Sequence, residues 1–327
     1  MRIVFLGSPI EVLAPLRALL AQPGFEVVGV VSQPAKPVGR KRILSDPPVA
    51  SFSKDAGIPT LQPESAQESD FLNALRLWKP DVAVTAAYGQ ILNEEFLAIP
   101  KRATINIHPS LLPIYRGATP VQSALLNGDL TTGVSILFTV KRLDAGAIIT
   151  SKTTSVLENE CTGKLTQRLF AESCPLLISA LDSLRDPSFQ GSLQDESQVT
   201  RCKKINKTDG CISWSESMKL VHQRWQAFTP WPGVFTFLLG KRILIETCKW
   251  EKADDADLVI VPKIGALSFR DSDRSVVVYG PSRDKLVISQ LKWEGGSSVS
   301  ASEFWNGLKS RGLSHFVFES LGEGTQK

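Results

Sequence analysis

The sequence is poor in the residues that build covalent or metal frameworks. Five cysteines in 327 residues (Cys161, Cys174, Cys202, Cys211, Cys248) form no C-x-x-C pair, and their odd number leaves no complete disulfide set. Three histidines are too few to suggest a dedicated zinc site, so no metal is expected. No apolar run approaches the ~20 residues that cross a bilayer. Met1 to Gly7 enters a strand-like pattern directly, without the basic, apolar, small-residue progression of a secretory signal. No membrane partner and a cytoplasmic setting are therefore expected. The turn Gly7-Ser8-Pro9 after the first apolar run lacks the G-x-G-x-x-G spacing that brings backbone against a pyrophosphate, which sets aside a nicotinamide-dependent dehydrogenase. Internal repeats and low-complexity tracts are also missing.

What is present is globular. Hydrophobic residues make up 43% and charged residues 21%, enough for a sizeable core, and the length suggests about two domains at ~150 residues each. The net charge of +4 is unevenly spread. Residues 1–199 carry 18 basic and 19 acidic side chains, whereas residues 200–327 carry 19 and 14, and residues 200–249 alone hold 9 and 3. This concentration suits either a polyanionic partner or a solvated basic face.

The first ~110 residues alternate strand-like runs (Ile3 to Leu6, Phe25 to Val31, Asp81 to Ala87) with helical periodicity (Glu11 to Leu20, Phe71 to Trp78). Continuous apolar strands separated by helices predict a Rossmann-like, mostly parallel α/β sheet covered on both faces, with ligands outside the carboxyl ends of the strands. Between Ser32 and Pro48 lies a long loop with four cations in residues 36–42, read as mobile and exposed, either functional or an ordinary solvated insertion. A helical stretch near Pro120 to Leu126, strands at Thr132 to Thr139 and Ile148 to Ser155, and a long helix from Thr162 to Leu184 follow. The polar stretch beyond Arg185 reads as a linker. After a helix over Ser215 to Ala227, short β-rich runs (Ile243 to Ile245, Val259 to Val261, Val276 to Val278, Val287 to Ile288) predict a small OB-like barrel or sandwich. The expected domains are 1–188, a linker 189–206, and 207–327.

Asn106 and His108 sit two apart in a strand, so they share one face while Ile105 and Ile107 take the other, and Pro109 stops the strand. An amide and an imidazole thus converge where open sheets place ligands, which separates His108 from His222 and His315, read as structural or exposed. Asp144, in the turn Leu143-Asp144-Ala145-Gly146, is a third polar candidate, although its spacing alone favours an Asx-type turn residue.

The run Asn106-Ile107-His108-Pro109-Ser110-Leu111-Leu112-Pro113-Ile114-Tyr115-Arg116-Gly117 resembles the N-x-H-x-S-L-L-P-x-x-R-G signature of the folate-dependent formyltransferases, and Leu143 to Gly146 resembles that family's second loop. Within the family, the loop from Ser32-Gln33-Pro34 to Gly39-Arg40, and Ala227-Phe228-Thr229-Pro230-Trp231-Pro232, are similar to features of the branch that formylates a charged tRNA. Two departures stand out. Lys141 to Ala147 differs from the usual G-L-D-T-G-D and looks more like the loop of enzymes acting on amino sugar nucleotides, and Pro109 stands where glycine is common in the tRNA branch.

The resemblance implies formyl transfer from 10-formyltetrahydrofolate, as co-substrate, to the α-amine of methionine on initiator tRNA. Asn106, His108 and Asp144 would be catalytic, with Asn106 and His108 as oxyanion donors and Asp144 as proton relay. Ser110, Leu111, Leu112 and Pro113 would wall the folate site. Arg40, Lys41 and Arg42 would meet the acceptor stem, while Arg201, Lys203, Lys204 and Lys207 would hold the tRNA backbone, in a protein expected to be monomeric. Two competing readings remain: formylation of an amino sugar nucleotide, and a non-catalytic RNA-binding module.

Overall fold

A computed structural model of the chain describes residues 1–39, 41–252, 263–311 and 316–320. The chain divides into two compact units, which interleave along the sequence. The first comprises Met1–Pro120, Leu130–Val156 and Lys164–Cys202, and the second Val121–Asp129, Leu157–Gly163 and Lys203–Lys327.

The chain begins β1 (Arg2–Gly7), α1 (Leu13–Ala21), β2 (Glu26–Val31), β3 (Lys36–Val38), β4 (Ile43–Ser45), α2 (Pro48–Asp55), β5 (Thr60–Leu61) and α3 (Ser69–Leu77). It continues through β6 (Val82–Ala86), α4 (Glu94–Leu97), β7 (Ala103–His108), α5 (Pro120–Asn127), β8 (Thr131–Phe138), β9 (Ile148–Ser155) and α6 (Thr162–Ser183). Seven of these strands form one sheet in the order β5-β2-β1-β6-β7-β8-β9. It is parallel from β5 to β7 and antiparallel from β7 to β9.

Side-chain alternation builds two cores. Ile3, Phe5, Val82, Val84, Ile105 and Ile107 pack on one face with Leu16 and Leu19 of α1 and Phe170, Leu177 and Leu181 of α6. Val4, Leu6 and Ala83 pack on the other with Phe71, Leu72 and Leu75 of α3. Burying both faces is what makes these strands read as unbroken apolar runs. Leu6, Thr85 and Asn106 stand in register across β1, β6 and β7, so the second face turns polar only toward its carboxyl end. That end is where the candidate residues lie.

The loop expected over Ser32 to Pro48 is instead a short antiparallel hairpin, β3 paired with β4 through Lys36–Ser45, Pro37–Leu44 and Val38–Ile43, and α2 starts at Pro48. Gly39 and Arg42 take φ of 71° and 49°, and the Arg42 amide donates to the Gly39 carbonyl, which turns the chain back on itself.

The second unit contains α7 (Met218–Phe228), β10 (Val234–Leu238), β11 (Lys241–Glu251), β12 (Leu267–Arg270), β13 (Ser275–Tyr279), β14 (Lys285–Trp293), β15 (Ser298–Ser300) and α8 (Ala301–Lys309). Its antiparallel sheet runs β10-β11-β14-β13-β12, with β15 on β14. Residues near the chain's end join the two edges: Phe237 of β10 pairs with Glu319, and Ala266 before β12 pairs with Val317. Fully buried Trp214 stacks on Phe318 and donates its indole N–H to the Thr236 hydroxyl at 2.9 Å. The expected run Val259 to Val261 lies outside the described residues.

Candidate functional site

Asn106 and His108 leave the same face at the end of β7, as their spacing predicts. Asn106 Oδ1 accepts from the Thr85 hydroxyl at 2.8 Å, which fixes the orientation of the amide and turns its NH2 toward Asp144 Oδ1, 3.5 Å away. His108 is buried, 4% exposed. Its Nε2 lies 3.0 Å from the Tyr115 carbonyl, an acceptor only, so Nε2 carries the proton and donates. In the neutral ring Nδ1 is then a lone pair. It faces Asp144 Oδ2 across 3.8 Å, too far for a direct hydrogen bond.

Asp144 stands at φ 50°, a left-handed conformation that aspartate and asparagine tolerate better than other side chains. Its Oδ2 accepts the Gly117 amide at 2.8 Å. The turn that carries it is tight: a Cβ on Gly146 would overlap the Phe138 carbonyl oxygen. Burial pushes the His108 pKa below its ordinary value, although the Asp144 charge and the Tyr115 carbonyl act in the opposite sense. The result is a neutral imidazole and a carboxylate, two acceptors aimed at one space beside an amide donor. Such a set can accept a proton from a nucleophile and donate to an oxygen that becomes negative.

The expected role of His108 as an oxyanion donor depends on its protonation state. Its N–H is engaged by Tyr115, so the face toward Asp144 donates only once the ring is protonated. Three further groups of this constellation are singled out by no sequence pattern: the Thr85 hydroxyl, the Tyr115 carbonyl and the Gly117 amide. The last two fall inside the quoted motif, where the types were visible but not their partners.

Ser110 to Pro113 form the turn directly after β7. Ser110 is fully buried and donates its hydroxyl to the Ile114 carbonyl at 2.7 Å, while Ser135 Oγ donates to the Ser110 carbonyl and accepts the Leu112 amide. Leu111 packs against Gly133, and Leu112 is 7% exposed. The turn is thus a rigid apolar wall with much of its backbone already paired. Lys41 and Arg42 are exposed on the β3–β4 hairpin beside exposed Val38, Ile43 and Leu44. Arg40 lies outside the described residues, as does His315. Arg201, Lys203, Lys204 and Lys207 are all exposed, and Arg201 pairs as an isolated bridge with Arg116. Among the described residues, no cluster of three His, Cys, Asp or Glu is placed to hold a metal, and no helix is long and apolar enough to cross a membrane.

The segment from 189 to 206, expected to be a linker, is built into the first unit as far as Cys202. Ser192 and Ile148 exchange backbone hydrogen bonds, the Arg116 amide donates to the Thr200 carbonyl, and Cys202 donates back to the Arg116 carbonyl.

Comparison with known proteins gives a consistent picture. Residues 1–181 match the family described as formyl transferase, and residues 204–309 match the formyl transferase C-terminal domain. The chain is 38% identical over 255 residues to a methionyl-tRNA formyltransferase of Roseiflexus sp. (strain RS-1), covering 76% of this chain and 78% of that one. It is 37% identical over 313 residues to a methionyl-tRNA formyltransferase of Dehalococcoides mccartyi (strain CBDB1), covering 95% and 96%. Among solved structures, HypX from Aquifex aeolicus in complex with tetrahydrofolic acid superposes with a TM-score of 0.63 at 18% identity. That match covers 93% of this chain, which spans about half of HypX (46%), and it speaks to the fold alone.

Proposed function

The chain belongs to the formyl transferase family, and we propose that it transfers the formyl group of 10-formyltetrahydrofolate to the α-amine of methionine esterified to initiator tRNA. The observation that carries the chemistry is the facing pair His108 Nδ1 and Asp144 Oδ2 beside the Thr85-oriented Asn106 amide. The tRNA acceptor rests on the 37% and 38% identity to methionyl-tRNA formyltransferases over most of the chain.

The folate supplies an activated formyl carbon. The residues present suit it: a donor amide, acceptors for a proton and an apolar turn, and none of Asn106, His108, Asp144 and Ser110 to Pro113 is a lysine or cysteine nucleophile. None is required, because a neutral α-amine, with an unperturbed pKa of ~7.7–8.0, attacks directly. Asn106 Nδ2 donates to the formyl oxygen as negative charge develops there. The amine loses its proton into the space between His108 and Asp144. Once His108 holds that proton, Asp144 stabilises the imidazolium, and Nδ1–H becomes a second donor facing the site. When the tetrahedral adduct collapses, the bond between the formyl carbon and the folate nitrogen breaks and the imidazolium returns the proton to that nitrogen, releasing tetrahydrofolate. Ser110 to Pro113 wall the folate side.

Lys41 and Arg42 on the hairpin, with Arg40, would meet the acceptor stem, and Arg201, Lys203, Lys204 and Lys207 would neutralise phosphates further along. The test is to incubate the protein with 10-formyltetrahydrofolate and either methionyl-tRNA or a uridine diphosphate amino sugar, following tetrahydrofolate release. Release with the tRNA alone supports the proposal. Release with the sugar nucleotide alone favours the second reading, for which the Lys141 to Ala147 loop is the specific motive. No release with either points to a binding module.

A further inference from the structure

The Asp144 turn has to be held in place by something other than its own backbone. Asp144 is at positive φ, and locally the turn is closed by the Phe138 amide to Ala147 carbonyl contact at 2.9 Å and the Ala145 amide to Arg142 carbonyl contact at 3.2 Å. The Gly117 amide holds the Asp144 carboxyl group, and further restraint on the turn's backbone comes from Gln194, fifty positions beyond Asp144. Both N–H groups of the Gln194 side-chain amide donate into the turn, to the Asp144 carbonyl at 2.8 Å and to the Gly146 carbonyl at 2.7 Å. Its Oδ-equivalent, Oε1, accepts from Arg116 Nε at 3.0 Å and Nη2 at 2.8 Å. Carbonyls only accept and a guanidinium only donates, so the amide has one possible orientation and every one of its hydrogen-bonding positions is filled.

Arg116 is itself 1% exposed, and its guanidinium also reaches Glu196 at 2.8 Å. Glu196 pairs in addition with Arg142, which lies two residues before Asp144. The two arginines hold the Glu196 carboxyl below its ordinary pKa. The same strap reaches the other half of the constellation. The Tyr115 amide donates to the Thr200 hydroxyl at 2.8 Å, and Arg116 pairs with residues 200 and 202. Tyr115 and Gly117 flank that pairing, and they supply the carbonyl that orients His108 and the amide that orients Asp144. Gln194 is half-buried within an otherwise largely exposed stretch.

We propose that Gln194 is a positioning residue for the reaction, holding the Asp144 turn at its 3.8 Å separation from His108, with Arg116, Glu196 and Arg142 fixing Gln194 in turn. This rests on the functional reading above for its kinetic consequences. A misplacement of ~1 Å at a reacting group costs up to ~10²-fold in rate, so the effect should fall on turnover rather than on binding.

The experiment uses Gln194→Met, which keeps length and volume but neither donates nor accepts through an amide, and Gln194→Glu, which keeps the Arg116 pairing and removes both donors. Each is expected to lower kcat about tenfold or more while KM for both substrates stays within about twofold. Combined with Asp144→Asn, Gln194→Met should add no further loss beyond about twofold, because its effect passes through the carboxylate. In the ligand-free protein, hydrogen exchange at the Gly117 amide, which Asp144 protects, should rise about tenfold. Parental kcat in Gln194→Glu, multiplicative losses in the double variant, or unchanged Gly117 exchange would each overturn the proposal. Should the parent fail to formylate methionyl-tRNA, the functional reading falls, whereas the Gly117 exchange still decides whether Gln194 positions Asp144.

Discussion

Replacing Asp144 by asparagine isolates charge from shape. The backbone at φ 50° accepts asparagine as readily as aspartate, whereas alanine would add strain and confuse the result. Asparagine Oδ1 can still take the Gly117 amide, now at 2.8 Å from the carboxylate, so the turn should stay in place and the thermal midpoint should move by only a few degrees. What disappears is the negative charge 3.8 Å from His108 Nδ1. At that separation, with an effective dielectric near 20, the charge stabilises an imidazolium by about 4 kcal/mol. That corresponds to about 10³-fold in rate if the imidazolium is present in the transition state, and it falls within the ~10²–10⁴-fold usual for a positioned acid or base. The assay is single-turnover formyl transfer to methionyl-tRNA with enzyme in excess, which separates chemistry from product release. Asp144→Asn should be slowed about 10²–10⁴-fold with tRNA affinity unchanged. A folded variant within about threefold of the parent would refute the proton-relay role.

Four further outcomes follow from the geometry. Thr85→Val removes the hydroxyl that orients Asn106, a contribution of about 1 kcal/mol, and should lower kcat about fivefold without altering KM. Gly146→Ala drives a methyl group into the Phe138 carbonyl and should cost about 1–3 kcal/mol in urea unfolding together with most of the activity. His222, 8% exposed and stacked on Trp225, has its pKa lowered to about 4 by burial, with Nε2 unpaired. The unfolded chain therefore binds a proton that the native one does not between about pH 6.5 and 4: stability is full above about pH 6.5 and falls as pH drops, by about 2 kcal/mol at pH 5. Urea unfolding at pH 8 and pH 5, followed by tryptophan fluorescence, should show this loss, and His222→Phe should remove it. Finally, replacing Lys41 and Arg42 together by alanine should reduce the slope of log affinity for tRNA against log salt by about 2, measured by filter binding at several ionic strengths.

Much of the fold was legible in the sequence, since it rests on periodicities the chain carries locally. Buried parallel strands read as apolar runs because both faces are covered, and the 2-residue repeat of β7 alone put Asn106 and His108 on one face. The long helix near Thr162 and the β-rich character of the second half followed from the same patterns. The 36–42 segment was read as a loop because hairpins with three-residue strands carry little period, and the positive φ of Arg42 has no sequence signature.

The residue types at the site, and the strand end that presents them, were set by the sequence, because side-chain chemistry and alternation are local. Tertiary structure alone decided their states. His108 is neutral because burial disfavours the charged ring, and its Nδ1 lone pair turns toward Asp144 because a carbonyl seven residues on accepts the hydrogen bond from Nε2–H. Asp144 became more than a turn residue because β8 and β9 bring it to within 2.8 Å of the Gly117 amide, 27 positions away. Gln194, in a stretch whose polarity suggested only a linker, acquired both carbonyls of that turn. Hydrogen bonds across such distances in sequence depend on the packing of the whole sheet, and no local pattern encodes them.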